Sequence, residues 1–249
     1  MSSRVSRTMI VILFFSLWEL VPDTGLVDPN LLTPALTVLK TLFHQLWSGE
    51  LFIHIWVSLK RILFGLGLSL IVGGPLGLIM GWFRDVEQTI DAPLQAGRQV
   101  SAIALFPVFI LFFGIGEVSK IAIIFWASVW PILLNTIGGV KGIEPLVIKS
   151  ARSMGASGIT LFKKVILPAA APSIFTGVRL GAAYAFMVLV AAEMIGANAG
   201  LGFLVLNSQE IFKIPEMYAA ILALALFGLT VNNLLLAFEQ RATRWKEAR

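Results

Sequence analysis

The chain has no cysteine, which excludes disulfides, thiolate catalysis and cysteine-ligated metal sites together. Charge is scarce as well. Asp, Glu, Lys and Arg make up 13% of 249 residues, well below the ~25% of ordinary soluble domains. The two histidines, His44 and His54, lie in one segment and read as interfacial side chains, so no metal is expected. Three signatures are missing too: G-x-x-x-x-G-K-[ST] for nucleotide phosphates, H-E-x-x-H and G-x-S-x-G. The polar residues inside apolar runs (Ser69, Ser128, Asn135, Tyr184, Asn232, Asn233) form no nucleophile-and-base constellation. Their expected role is hydrogen bonding between helices.

What the chain does have is apolar length. It is 57% hydrophobic with a mean hydropathy of +0.88, the composition of an integral membrane protein. Ile62 to Phe83, Gln99 to Gly116, Ile121 to Val140 and Met217 to Phe238 contain no Lys, Arg, Asp or Glu. Each matches or approaches the ~20 residues a helix needs to cross ~30 Å of hydrocarbon. Thr8 to Pro22, with Glu19, and Pro172 to Ile195, with Arg179 and Glu193, bring the expected total to about six spans. Arg4 and Arg7 precede the first run as in a signal peptide, but no A-x-A-like site follows, so a retained anchor is expected.

Short cytoplasmic loops collect Lys and Arg. That rule puts both termini in the cytoplasm, with Arg4, Arg7, Arg84, Lys141, Lys149, Arg152, Lys163, Lys164, Arg241, Arg244, Lys246 and Arg249 inside and Lys40, Lys120 and Lys213 outside. Lys60 and Arg61 are the exception and are read as part of an interfacial helix with His44 and His54. A net charge of +5 and a pI near 9.7 follow from this loop bias, and nucleic acid is not an expected partner.

Gly65, Gly67, Gly73, Gly74, Gly77 and Gly81 would let another helix approach closely and read as a packing seam. Pro107 and Pro131 each remove a helical hydrogen bond inside a span, which suits a pore-lining position. Ionisable groups within spans are functional candidates. Arg179 fits snorkelling or a substrate role, and Glu193 fits a pairing with a neighbour such as Lys120 or with a docked protein. Arg98, ahead of Pro107, is placed to draw an anion inward. The run Phe106 to Phe109 fits packing first and a hydrophobic gate second.

The longest polar interruption runs from about 141 to 172. Ile148 to Met154 reads as a short helix ended by Gly155 in a left-handed turn. Ile159 to Ile166 reads as a second, amphipathic helix with Lys163 and Lys164, stopped by Pro168. Such a unit fits a groove on another protein or an anionic lipid surface.

The pattern resembles the EAA loop of ATP-binding cassette importer permeases, written E-A-A, three residues, G, nine residues, I-x-L-P. Here it stands as Lys149-Ser150-Ala151, Gly155 and Val165-Ile166-Leu167-Pro168 with the same spacing. Lys149, Ser150 and Val165 replace Glu, Ala and Ile, so a salt bridge from that Glu is not carried over. Phe113-Gly114-Ile115-Gly116-Glu117, Ala151-Arg152-Ser153-Met154-Gly155-Ala156-Ser157, Leu167-Pro168-Ala169-Ala170, Ala192-Glu193 with Gly200-Leu201-Gly202, and Phe238-Glu239 with Arg241 resemble the nitrate, alkanesulfonate and taurine branch across nearly the whole chain.

The resemblance implies an all-α, polytopic type I importer permease fold with a coupling helix between the fourth and fifth spans. Residues 1–57 would form an anchor span and extracytoplasmic segment, and 58–249 the permease core. The implied coupling residues are Lys149, Ser150, Ala151, Arg152, Gly155, Ala156, Leu167 and Pro168, and the translocation candidates are Arg98, Phe106, Pro107, Arg179 and Glu193. The implied partners are an ATPase dimer holding ATP and Mg, a second copy of the chain, an extracytoplasmic solute-binding protein and the bacterial inner-membrane bilayer. No cofactor is expected on the chain itself. The competing readings are a secondary transporter, which would need inverted repeats, and a membrane scaffold.

Overall fold

In hydrocarbon every backbone N–H and C=O must find its partner within the protein, so long apolar runs become helices. The computed structural model describes residues 2–24 and 31–243, except the side chains of 2–8, 11, 12 and 23. Arg244, Lys246 and Arg249, and the side chains of Arg4 and Arg7, therefore lie outside the described residues. The elements are α1 (Ser2–Leu20), α2 (Ala35–Trp47), α3 (Glu50–Trp82), α4 (Arg84–Gln99), α5 (Ala102–Phe113), α6 (Glu117–Lys141), α7 (Pro145–Ser153), α8 (Gly158–Leu161), α9 (Leu167–Gly196), α10 (Leu201–Glu210) and α11 (Ile214–Ala242). A 3-10 turn follows α1, a π turn joins α8 to α9, and no strand occurs among the described residues.

Four helical runs are long and apolar enough to cross a membrane: α3, α6, the run Gly158–Gly196 and α11. The pair α4 and α5, bent by 95°, makes a fifth if counted as one span. Two expectations change here. Helix α1 does not join this set, because its 19 residues hold Arg4 and Arg7 near one end and Glu19 near the other, leaving too short an uncharged run. Gln99 to Gly116 is also not one continuous helix. The chain turns at Val100 and Ser101, both extended, and α5 stops after 12 residues at Gly114, whose φ of +76° ends it. At 1.5 Å per residue that helix reaches only about 18 Å.

The chain divides into two compact units, Met1–Ser58 with Glu193–Phe227, and Leu59–Ala192 with Gly228–Arg249. Within the second, α6 is packed between glycine faces of α3 and α9. A Cβ at Gly77 would stand 2.7 Å from Thr136 Cβ and 2.9 Å from the Leu133 carbonyl, and one at Gly73 3.1 Å from the Val129 carbonyl. From the α9 side, a Cβ at Gly177 would stand 2.8 Å from Asn135 Cβ, and one at Gly181 3.0 Å from the Ser128 carbonyl. Ser69 and Ser128 join their hydroxyls at 2.6 Å inside this packing. Gly67 meets nothing within 4 Å and Gly74 only a Leu70 methyl, so the seam is narrower than the glycine count suggests.

Arg61 departs from its expected interfacial place. It is 2% exposed, with Nε donating to Glu117 Oε2 at 2.7 Å and Nη2 to Oε1 at 2.5 Å. A bidentate carboxylate lets the guanidinium stay buried, and that partner sits too far along the sequence to be read from it. In the first unit, Trp18 Nε1 donates to the Thr33 carbonyl, and Glu19 accepts the Leu36 N–H at 2.8 Å.

Gly77→Ala should lower stability by about 1–3 kcal/mol, because Thr136 and the α6 backbone cannot both recede. Gly67→Ala should be neutral or stabilising by up to about 1 kcal/mol through helix propensity. Thermal unfolding of the detergent-purified variants measures both.

Candidate functional site

Helix α7 begins at Pro145 in its first turn, where a missing N–H costs nothing. It ends in a paired cap: the Gly155 N–H donates to the Arg152 carbonyl at 2.9 Å and the Ala156 N–H to the Ala151 carbonyl at 3.0 Å. Gly155 holds the left-handed φ of +82° this cap requires. Ala151 is 5% exposed and belongs to a cluster with Val140, Ile143, Leu161, Ile166 and Ala170, against which Ala156 also packs. The opposite face is open. Lys149, Ser150, Arg152, Ser153 and Gly155 are exposed, and Met154 and Ile159 are 81% and 72% exposed. Exposed apolar Met154 and Ile159 in one short loop with exposed Arg152, Lys163 and Lys164 suit a protein groove with acidic borders. A cavity of about 530 Å³ lies beside it, lined by Trp82, Arg152, Gly155, Phe162 and neighbours.

Pro168 does not stop the second helix as expected. The chain stays helical from Gly158 to Gly196, because Phe162–Ile166 opens into a π turn in which the Leu167 N–H reaches back to the Phe162 carbonyl. Proline's ring clashes with the carbonyl four residues back, and a widened turn relieves the clash without breaking the helix. Leu167 is half-exposed and Pro168 partly buried on this turn. At the other end of the loop, Lys141 pairs with Glu87 and ties α6 to α4.

The translocation candidates do not gather in one place. Arg98 is exposed and lines a cavity of about 560 Å³ with Gln99, Ser101, Trp126, Trp130 and Tyr184. Phe106 is 1% exposed, within the chain's own packing, while Pro107 is exposed. Phe109 stacks on Phe113. Arg179 is held by Glu239, Nη1 to Oε2 at 3.4 Å, and Glu239 also accepts from Thr176 Oγ1.

Glu193, in the first unit, is fully buried. Its Oε1 accepts from Ser58 Oγ at 2.7 Å and its Oε2 from the Gly202 N–H at 2.8 Å. Ser58 Oγ accepts the Leu201 N–H at 2.9 Å, and His54 Nδ1 accepts the Gly200 N–H at 3.0 Å. Three successive amides at the start of α10 are thus each met by a side chain, which is how a buried helix N-terminus is satisfied. Gly200, at φ +130°, has no room for a Cβ beside the Glu193 carboxylate. Glu193 and the Gly200-Leu201-Gly202 run are legible in the sequence, whereas Ser58 carries no motif and His54 reads there only as an interfacial side chain. Among the described residues no three of His, Cys, Asp or Glu come together in a metal-binding group.

A family model described as the binding-protein-dependent transport system inner membrane component matches residues 73–244, taking in α7, the π turn and the Arg98 cavity. The chain belongs to this family. The taurine transport system permease protein TauC of Escherichia coli strain K12 is 34% identical over 96% of this chain and 88% of its own length. The E. coli permease SsuC, named for aliphatic sulfonates transport, is 35% identical over 98% of this chain and 93% of its own length. Among solved structures, the inward-facing MetNI methionine ABC transporter superimposes with a TM-score of 0.67 at 18% identity, covering 80% of this chain and 98% of that one, and shows the same fold. The resemblance read from the loop residues therefore holds: this is a multi-pass inner-membrane permease subunit of an ATP-driven importer.

In the permease, Glu193→Ala removes the acceptor of the Gly202 amide and of Ser58 Oγ at once. Leaving such groups buried and unpaired costs about 1–3 kcal/mol each, so hydrogen exchange at Leu201 and Gly202 should accelerate by roughly tenfold or more. Mass-spectrometric exchange on the peptide spanning α10 measures it, and Glu193→Gln, which keeps an acceptor oxygen, should lie between.

Proposed function

We propose that two copies of this permease form the translocation pathway for a small organosulfonate-like anion and that each docks α7 onto one subunit of a cytoplasmic ATPase dimer. The ATPase holds the ATP and Mg, and the permease carries out no chemistry of its own. An extracytoplasmic solute-binding protein delivers the anion, and both termini face the cytoplasm. The observation that carries this reading is the capped α7, with its buried Ala151 and exposed Arg152, Met154 and Gly155. One face is anchored to the permease core, and the other presents exposed Met154 beside exposed Arg152.

The anion class rests on the names of the sulfonate and taurine relatives and on the lone charge of Arg98 in its cavity. Lys149, Ser150, Arg152 and Ala156 contribute to the docking face or its support, while Leu167 and Pro168 set the π turn that carries α8 into α9. The continuous helix from Gly158 to Gly196 transmits displacement of the docked tip without an intervening flexible joint. A lipid-surface role for the same loop would leave ATPase recovery independent of the residue at position 155.

A Cβ at Gly155 meets nothing within 4 Å, so a side chain there acts through backbone strain of about 1–2 kcal/mol and through whatever occupies the docking groove. Gly155→Trp should abolish capture of the ATPase from native membranes in mild detergent while leaving insertion intact. Gly155→Asn, which tolerates the left-handed turn, should retain part of it. Equal ATPase recovery with wild type and Gly155→Trp would sink the coupling role.

A further inference from the structure

Of the three side chains that hold the start of α10, one can do so in a single protonation state. His54 Nδ1 accepts the Gly200 N–H at 3.0 Å. An imidazole nitrogen accepts only while it is unprotonated, so this contact requires the neutral ring with its hydrogen on Nε2. Ser58 Oγ and the Glu193 carboxyl, which take the next two amides, keep an acceptor oxygen in any protonation state. His54 and Ser58 stand one helical turn apart, so a single face of α3 meets two successive amides. The imidazole is partly buried, and Phe203, in the first turn of α10, stacks on it with centroids 6.0 Å and planes 26° apart. The ring is therefore oriented by α10 itself as well as by the amide.

Protonation would reverse the electrostatics as well as remove the acceptor. The N-terminus of a helix carries partial positive charge, which a carboxylate such as Glu193 complements and an imidazolium opposes. Among the ionisable groups on the elements that meet His54, Glu50, one turn earlier on α3, bears on it by charge, and Glu193 stands near the end of α9. The 197–200 turn and α10 before Glu210 carry none. Once the contact is open, the ring takes up a proton in the ordinary imidazole range, about 6.5. The closed form takes up none at Nδ1 while the bond stands, so closure is fullest above that range and is lost progressively as the pH falls below it.

We propose that the contact between α3 and α10 is a proton-operated latch: with His54 neutral the start of α10 is held against α3, and protonation of the imidazole releases it. Under the topology proposed above, α10 and the His54 end of α3 lie on the extracytoplasmic side, so the latch responds to the acidity of the medium and not to that of the cytoplasm. The other histidine, His44, is exposed in the last turn of α2 and takes no part. The latch belongs to the permease alone and needs neither ATPase nor solute.

Hydrogen exchange of the purified full chain in detergent, at pH 7.5 and at pH 5.0 and corrected for the intrinsic pH dependence of amide exchange, tests this on the peptide spanning α10. In wild type the opening equilibrium should rise by about threefold to thirtyfold at the lower pH, the upper figure being full linkage to an imidazole of ordinary affinity. His54→Asn, whose Oδ1 can accept from the same amide and does not titrate, should show little change between the two conditions. His54→Ala should be open at both. Equal protection of the wild-type peptide at both pH values overturns the latch, and so does an acceleration in His54→Asn as large as in wild type, which would assign the response to Glu193 or another carboxylate. Should His54→Asn fail to purify, nitrogen NMR of the isotope-labelled imidazole in His44→Gln decides, because His54 is then the only histidine. Its hydrogen should sit on Nε2 at pH 7.5, and an Nδ1–H tautomer overturns the proposal. Both readouts use the permease alone, so a failure of α7 docking leaves them untouched.

Discussion

The arrangement of the second unit depends on the closeness of α6 to its two neighbours. In lipid no hydrophobic force drives helices together, since the tails are as apolar as Leu, and association rests on van der Waals contact and interhelical hydrogen bonds. Gly73 and Gly77 on α3, and Gly177 and Gly181 on α9, bring their backbones to where any Cβ would press on α6. Ser69 and Ser128 add a hydroxyl pair in the same packing. The helix held this way carries Glu117 at one end, Trp126 and Trp130 along its length, and Lys141 at the other. Its position therefore sets the partner of buried Arg61, the aromatic wall beside Arg98 and the tie to Glu87.

The loop that follows α6 combines two demands that usually conflict. The proposed coupling role asks it to present apolar side chains to a partner and still be anchored well enough to transmit force. The cap at Gly155 meets both, because the same turn that exposes Met154 returns the chain so that Ala156 packs in the cluster with Ala151. Beyond it the π turn keeps the polypeptide helical past Pro168. A broken helix at that point would be a hinge; a π turn is a widened but hydrogen-bonded connection.

Much of the loop was legible from residue types alone. Gly155 after a short basic segment marked a left-handed C-terminus because glycine adopts positive φ without a Cβ penalty, and the structure places it at +82°. The spacing from Ser150 and Ala151 to Leu167 and Pro168 carried the family. Pro168 escapes the rule that proline stops a helix, since that rule describes what proline does to an α turn and not to a π turn. Arg61 departs from its expected place for a different reason: its guanidinium is paired with a carboxylate on another helix, and local sequence holds no trace of that. Glu193 was recognised as a buried charge, but its partners, Ser58 and the amides of Gly200-Leu201-Gly202, come together only by folding.

By itself the sequence determined that the chain lies in a membrane, which runs are apolar enough to be helices, and that one basic, glycine-capped loop interrupts them. These are properties of composition and short-range spacing, where backbone satisfaction and side-chain size act within a few residues. The tertiary structure decided which charges are neutralised. Arg61, Arg98 and Arg179 look alike in sequence. They separate only because Glu117 and Glu239 reach two of them while the third is exposed at the bend between α4 and α5 with no ion pair among the described residues, and the Coulomb energy that makes the distinction depends on distances across helices rather than along the chain.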